Sequence, residues 1–300
     1  MTVDKDVKLE VLDWGGSGRP VVLLTGLGNN AHVFDKFAPK LTASYHVYGI
    51  TRRGFGVSSA PDPSMTANYT ADRLGDDVLA VLDTLKTNRP VLVGHSIGGE
   101  ELSSVGSRHP EKVAGLIYLD AGYGYAYYDP SRGDLTIDVL DLQKRLAQLQ
   151  PGSQPRDPRP LIKQLLETSL PILEKDLREF QKNLKGTPPP PAGPAPAQPT
   201  APTAGSAIIA GQQKYTDIKT FVLAVFAVPH DPGPAISKDP AALAAFEARD
   251  EASTGAQAKA FESGLPSARV VRLPHANHYV FQSNEADVLR EMNSFIGSLP

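Results

Sequence analysis

The 300-residue sequence contains no cysteine, which excludes disulfide bonds, thiolate metal sites and a cysteine nucleophile. It also lacks any run of about 18 apolar residues, so no segment is expected to span a membrane. Residues 1–6, MTVDKD, lack the apolar centre of a signal peptide. We therefore expect a soluble protein, cytoplasmic by default and periplasmic or secreted if a signal peptide has been removed.

The sequence also has no large excess of positive or negative charge. The formal net charge is −3, which gives no electrostatic reason to expect binding to nucleic acid or to an acidic membrane surface. The content of 41% hydrophobic and 21% charged residues is ordinary for a globular protein with a sizeable core. A chain of this length fits one large α/β domain, or one domain with an insertion.

The most informative stretch is a serine between a strand pattern and a helix pattern. Residues 90–93 form an apolar run typical of a buried parallel strand, and residues 94–98 read G-H-S-I-G. Gly94 and Gly98 would let neighbouring backbone approach a tight turn that presents the Ser96 hydroxyl at the end of the sheet. Because G-x-S-x-G also occurs by chance in ordinary turns, the flanking strand and helix are what favour a nucleophile here.

Strand patterns alternate with helix patterns along most of the chain, which predicts a mostly parallel, doubly wound sheet. An edge strand is predicted at residues 7–12, and further strands at residues 20–24, 45–50, 113–119, 221–228 and 269–273. Helical spacing is found at residues 31–41, 69–85, 240–261 and 285–296.

This alternation stops over residues 121–217, which we interpret as an inserted helical segment. The core would then be formed by residues 1–120 and 218–300. The insertion contains eight prolines within residues 187–203, and such a segment is expected to be extended or mobile. Amphipathic helices are predicted before it, at residues 138–149 and 161–184.

A serine nucleophile needs a base and an orienting carboxylate, and both types of residue follow strands at the expected edge of the sheet. Asp120 follows one predicted strand and Asp231 another. His275 and His278 both follow the last strand. The residues alone leave open which carboxylate and which histidine serve Ser96.

A second loop at this edge offers backbone N–H groups. Residues 26–28 read G-L-G and directly follow the strand at 20–24. In a functional interpretation the Leu27 N–H forms half of an oxyanion hole. In the alternative interpretation this is an ordinary loop from a strand to a helix.

Together these motifs resemble the α/β-hydrolase superfamily. The resemblance rests on the order Ser…Asp…His, on the serine turn and on the G-L-G loop. Residues 53–59, RGFGVSS, are similar to a loop of the cap-bearing, epoxide-hydrolase-like branch. The resemblance covers nearly all of the chain outside residues 121–217, where that branch carries its variable cap.

The resemblance implies an α/β fold with an inserted helical cap and a role for each site residue: Ser96 as nucleophile, His278 as base, Asp231 as acid, and the Leu27 and Ile97 N–H groups as oxyanion hole. Asp120 and His275 stay the alternative acid and base. The chain departs from the family pattern at Thr25, where a histidine is usual.

The resemblance also implies the reaction. A serine at the turn is unlike epoxide hydrolases and haloalkane dehalogenases, which use aspartate there. We therefore expect hydrolysis of small, partly apolar carboxylic esters through an acyl-enzyme, without a cofactor or metal ion. The alternatives are a hydroxynitrile lyase or carbon–carbon bond hydrolase with the same triad, and a non-catalytic ligand receptor.

Overall fold

The computed structural model describes residues 1–184 and 201–300. Its strands form a two-stranded sheet and a seven-stranded sheet. The strands are β1 (Thr2–Asp4), β2 (Val7–Lys8), β3 (Glu10–Gly15), β4 (Pro20–Leu24), β5 (His46–Thr51), β6 (Val91–His95), β7 (Gly115–Leu119), β8 (Phe221–Ala227) and β9 (Ala268–Leu273).

The seven-stranded sheet has the order β3-β5-β4-β6-β7-β8-β9. Only β3 is antiparallel to its neighbour, and every other pair in this sheet is parallel. The mostly parallel, doubly wound sheet predicted from the sequence is therefore confirmed. In this topology the carboxyl ends of β4, β6, β7, β8 and β9 meet at one edge.

The described residues also form α-helices. They are α1 (Ala71–Leu85), α2 (Gly98–Arg108), α3 (Leu135–Ala147), α4 (Arg159–Gln164), α5 (Leu170–Leu184), α6 (Ala204–Gly211), α7 (Pro240–Asp250), α8 (Ala256–Gly264), α9 (Val280–Ser283) and α10 (Glu285–Ser298). Among the described residues, no helix is both long and apolar enough to cross a membrane.

Both faces of the sheet are buried, because successive residues of a strand point to opposite faces. In β4, Val22 and Leu24 pack into an apolar cluster with α1, α2 and α8. Val21 and Leu23 pack into a second cluster on the other face, with α10. Burial on both faces explains why the central strands are almost continuously apolar in sequence.

The prediction of a helix at residues 31–41 is wrong. The chain instead forms two short 3₁₀ turns, Ala31–Phe34 and Ala38–Lys40. The break lies at residues 35–37, and Pro39, near the start of the second turn, has no backbone N–H that could continue a helical hydrogen-bond ladder from the first turn.

The described chain divides into two compact units, and the boundaries differ from those expected. Residues 1–127 and 203–300 form the first unit, and residues 128–202 form the second. Residues 203–217, predicted in the insertion, instead belong to the core unit. Residues 187–200 of the predicted proline-rich segment lie outside the described residues.

Helix α6, which the sequence pattern did not predict, accounts for the shift of the second boundary. It is started by a capping box between Thr203 and Ser206. Its Ala207 and Ile208 are buried in an apolar cluster of the core unit with Tyr69, Leu74 and Ile97.

The second unit contains α3, α4 and α5. A π-helical turn, Leu165–Ser169, joins α4 to α5. Leu142, Leu161 and Leu165 form a small apolar cluster within this unit. The hydroxyl of Tyr128 donates to the carboxylate of Asp138 at 2.8 Å.

Candidate active site

Ser96 lies in the sharp turn between β6 and α2 and has a backbone φ of 52°. A non-glycine residue rarely adopts this left-handed conformation, and such strain is concentrated at functional sites. Gly94 is required for the turn, since a Cβ atom there would lie 2.8 Å from the backbone of Gly98. The sequence thus forms a turn that holds a serine in a strained position at the edge of the sheet.

The G-L-G loop lies directly beside this turn. A Cβ atom at Gly26 would lie 2.9 Å from Nδ1 of His95 and 3.2 Å from the Cβ of Ser96, so a larger residue here would push against the turn. Within the described part of the chain, the N–H groups of Leu27 and Ile97 donate to no protein acceptor. Two free N–H groups beside a serine are the donors that an oxyanion hole needs.

A buried arginine joins the G-L-G loop to α2, the helix that follows Ser96. Arg52 is 3% exposed and donates to the carbonyl of Thr25 at 2.8 Å. It also donates to the carboxylate of Glu101 on α2, at 2.5 and 3.1 Å. Arg52 therefore holds the carbonyl of Thr25, directly before the G-L-G loop.

Removing the charge of Glu101 should destabilise the protein strongly. We expect Glu101→Gln to lower the free energy of unfolding by roughly 3–5 kcal/mol, because it leaves the Arg52 guanidinium buried without its counter-ion. Asp83→Asn is the control, since it removes the exposed pair with Lys112 and should change stability by less than about 1 kcal/mol. Urea unfolding followed by circular dichroism measures both, and equal midpoints would contradict the expectation.

His278 is oriented by the carboxylate of Asp120. Its Nδ1 donates to Asp120 Oδ2 at 2.6 Å. Asp120 is fully buried directly after β7, and its Oδ1 accepts from the N–H of Ala227 at 3.0 Å. Burial alone would raise the pKa of Asp120, but hydrogen bonds from His230 and His278, together with their charges, hold it below its usual value.

Asp231, the acid preferred from the sequence, is not brought to His278. Asp231 is exposed, and its carboxylate accepts from the N–H of Gly233 at 2.9 Å within its own turn. After β8 the backbone bends at residues 228 and 229, and it is extended again at His230, which forms a parallel bridge with Ala276. Successive side chains of extended backbone point in opposite directions, so His230 faces Asp120 and Asp231 faces away.

His275, the alternative base, also lies apart from this group. Its side chain is 61% exposed, and its Nδ1 is 3.8 Å from Glu247 Oε1. The structure therefore combines His278 with the alternative acid, Asp120, rather than with Asp231.

A second histidine shares the carboxylate of Asp120, which the sequence pattern did not indicate. His230 Nε2 lies 2.9 Å from Asp120 Oδ2, and His230 Nδ1 lies 2.9 Å from Asp250 Oδ2. Asp250, the last residue of α7, also accepts from the His230 backbone N–H at 2.8 Å. The available sequence signal for His230 was its position directly before Asp231, after β8. Because successive side chains of extended backbone point to opposite sides, only one of these two residues can face Asp120.

His95, which precedes Ser96, holds the backbone of His278 in place. Burial, and then the charge of His278, lower the pKa of His95 to about 4, so its ring is neutral at pH 7. His95 Nε2 donates to the carbonyl of His278 at 3.1 Å, and the two rings are 4.7 Å apart. This contact keeps His278 next to the serine turn.

The loop after β7, residues 122–128, contains four tyrosines, and two of them face Asp120 and Ser96. The Tyr123 hydroxyl donates to Asp120 Oδ2 at 2.9 Å. Burial raises the pKa of Tyr125 well above its usual value, with Glu100 and Asp120 adding to the rise, and a hydrogen bond with Ser96 opposes it. Both tyrosines therefore act as neutral hydroxyl groups at pH 7.

Asp120, His230 and His278 are also the only side chains in the described residues that converge as a metal site would, with ligand atoms within 4.8 Å of one another. Their hydrogen bonds with one another already use these atoms. The close approach of the three side chains is therefore explained by two histidines that both hydrogen-bond to the carboxylate of Asp120.

Comparison with known proteins supports the fold described above. A family model described as "Alpha/beta hydrolase family" matches residues 21–291. Over 116 residues the chain is 34% identical to a fluoroacetate dehalogenase from a Burkholderia species, covering 38% of each protein. Over 149 residues it is 32% identical to a 2-hydroxymuconate semialdehyde hydrolase from Pseudomonas sp. strain CF600, covering 44% of this chain and 50% of that protein.

These matches span half or less of the length of the curated relatives. A solved structure of a thermophilic esterase from Thermogutta terrifontis superposes with a TM-score of 0.56. The superposition covers 97% of this chain and 93% of the esterase at 18% sequence identity, which is a likeness of fold.

Proposed function

Because this chain belongs to the alpha/beta hydrolase family, we propose that it is a serine hydrolase that cleaves carboxylic esters through an acyl-enzyme. Ser96 is the nucleophile, His278 the base and Asp120 the orienting acid. The observation that carries the proposal is the 2.6 Å hydrogen bond from His278 Nδ1 to the buried Asp120. This bond fixes the proton on Nδ1 and leaves Nε2 free to accept one.

The reaction follows from these positions. His278 Nε2 takes the hydroxyl proton as Ser96 Oγ attacks the ester carbonyl, and the Leu27 and Ile97 N–H groups stabilise the oxyanion that forms. The protonated His278 then gives its proton to the leaving alcohol as the carbonyl re-forms. Water attacks the acyl-enzyme in the same way, which releases the carboxylic acid and restores Ser96.

The substrate is small and partly apolar in this proposal. Ile97 belongs to the apolar cluster described above, and Phe55 and Tyr125 pack against that cluster. Leu27 is 38% exposed, so it presents an apolar surface beside the proposed oxyanion hole. These side chains suit an aliphatic or aromatic group next to the ester carbonyl.

A panel of p-nitrophenyl esters from acetate to dodecanoate, combined with labelling by a fluorophosphonate probe, tests the proposal. We expect turnover of the shorter esters and a single labelled peptide that contains Ser96. If the folded protein shows no turnover of any ester and no labelling, the proposal is wrong.

Cleavage of a carbon–carbon bond is the second candidate, because of the local similarity to the 2-hydroxymuconate semialdehyde hydrolase. The same triad serves such a reaction, with water adding to a ketone. Cleavage of a 2-hydroxy-6-oxo-dienoate without turnover of any ester in the panel would favour this candidate over the esterase.

A further inference from the structure

His230 lies between two carboxylates, and this position defines its charge. Nε2 faces Asp120 Oδ2 and Nδ1 faces Asp250 Oδ2, each at 2.9 Å. An ionised carboxylate only accepts hydrogen bonds, so both ring nitrogens must carry a proton for both contacts to form. Geometry alone therefore indicates an imidazolium ion at His230.

We propose that His230 is a positively charged positioning residue that shares the carboxylate of Asp120 with His278 and so sets the pH range in which His278 acts as a base. This inference rests on the proposed function, since it concerns the base of that reaction. His230 itself touches neither Ser96 nor the reacting atoms in this proposal.

The shared oxygen explains how His230 acts on His278. Asp120 Oδ2 accepts from His278 Nδ1 at 2.6 Å, from His230 Nε2 at 2.9 Å and from the Tyr123 hydroxyl at 2.9 Å. In a triad without a second cation, the whole charge of the acid would stabilise protonated His278. Here His230 neutralises part of that charge, and its ring centroid is 6.5 Å from that of His278. Less of the negative charge of Asp120 is therefore available to stabilise a proton on His278 Nε2.

The surrounding charges agree with this assignment. The groups that face His230 are Asp120, Asp250, the neutral Tyr123 hydroxyl at 3.4 Å, and His278. Burial lowers the pKa of His230, but the two carboxylates outweigh it and raise this pKa to about 9. The further ring groups that face His278 are His95, which is neutral, and Tyr279.

Asp250 fixes His230 in this orientation. It accepts from both the ring and the backbone N–H of His230, and its other oxygen accepts from the Thr254 hydroxyl at 2.9 Å. With only 13% of its side chain exposed, Asp250 forms a contact that solvent screens weakly. Removing this carboxylate should therefore lower the affinity of His230 for its proton.

The first test is the pH profile of kcat/KM for p-nitrophenyl acetate with His230→Gln. Glutamine keeps a neutral N–H donor toward Asp120 and removes the charge. We expect the acidic limb of the profile to move up by about one pH unit, which is about a tenfold loss of activity on that limb, with little change on the plateau. His46→Gln is the matched control, because it removes an exposed His–Asp pair at 2.9 Å, and its profile should equal that of the wild type.

The second test is nitrogen-15 NMR of the histidine side chains, which needs no substrate. In the wild type we expect both nitrogens of His230 to be protonated at pH 7. In Asp250→Asn we expect its titration midpoint to fall by more than about one unit. This measurement decides the charge of His230 even if His230→Gln does not fold or the protein turns over no ester.

Two results would overturn the inference: a neutral His230 ring at pH 7 in the wild type, or a His230→Gln profile that superimposes on that of the wild type. An inactive wild type with a cationic His230 would contradict the proposed function and leave the charge assignment in place.

Discussion

Ser96→Ala is expected to reduce kcat for p-nitrophenyl esters by roughly 10⁵–10⁶-fold. The loss is this large because no other hydroxyl lies in the strained turn beside His278, and the alanine variant retains only the oxyanion donors. Stopped and continuous absorbance assays of purified protein measure the change, and the fluorophosphonate probe should no longer label the variant.

Ser107→Ala provides a matched control on the same helix, α2. The Ser107 hydroxyl has no hydrogen-bond partner among the described residues, so its removal should leave activity and labelling unchanged. If the Ser96 variant keeps full activity while it remains folded, the nucleophile has been assigned incorrectly.

Asp120→Asn and Asp231→Asn should differ by about three orders of magnitude in kcat. We expect Asp120→Asn to lower kcat by roughly 10³–10⁴-fold, because an amide at this position can donate to Nδ1 and stabilise the wrong tautomer of His278. Asp231→Asn should stay within about twofold of the wild type, because its side chain is exposed and, in the described part of the chain, its carboxylate hydrogen-bonds only with the N–H of Gly233.

Both substitutions replace a carboxylate with an amide and remove one negative charge. A difference in kcat between the two variants therefore reflects the position of the residue rather than the chemical change. Near-ultraviolet circular dichroism checks that each variant is folded, since Asp120 also accepts from the backbone of Ala227. A large loss in Asp231→Asn with an active Asp120→Asn would return the acid to the position preferred from the sequence.

Much of the sheet could be predicted because its strands are buried on both faces. The strand predicted at residues 20–24 has the observed bounds of β4, and those predicted at 221–228 and 269–273 differ from β8 and β9 by one residue. The apolar runs identify these strands directly. The turn at Ser96 could be located for the same reason, since it follows a continuous apolar strand and precedes a helix.

The acid could not be assigned in this way, because the choice depends on which way one side chain points. Sequence places Asp120 and Asp231 after neighbouring strands at the same edge. The bridge between His230 and Ala276, which follows a bend after β8, then directs His230 inward and Asp231 outward. Only the pairing of this segment with residues after β9 fixes that direction, and pairing between distant segments is not visible in local pattern.

Helix α6 was missed for a different reason. Its eight residues include Gly205 and Gly211, which are poor helix formers, and the segment follows the proline-rich stretch. Its stability comes from the capping box and from contacts of Ile208 with Tyr69 and Leu74 of the core unit. Tertiary packing of this kind overrides local propensity.

The discontinuous core unit also has a consequence for synthesis of the chain. Strands β7 and β8 are neighbours in the sheet, with Leu119 opposite Val225, yet about 100 residues separate them in sequence. At about 5–20 residues per second, a ribosome takes roughly 5–20 s to make that stretch. During this interval the edge of β7 that pairs with β8 presents unpaired backbone N–H and C=O groups, and Asp120 has no backbone donor from Ala227. The nascent chain therefore has a long period of exposure to aggregation, and a chaperone that binds extended apolar segments would act on it between these two strands.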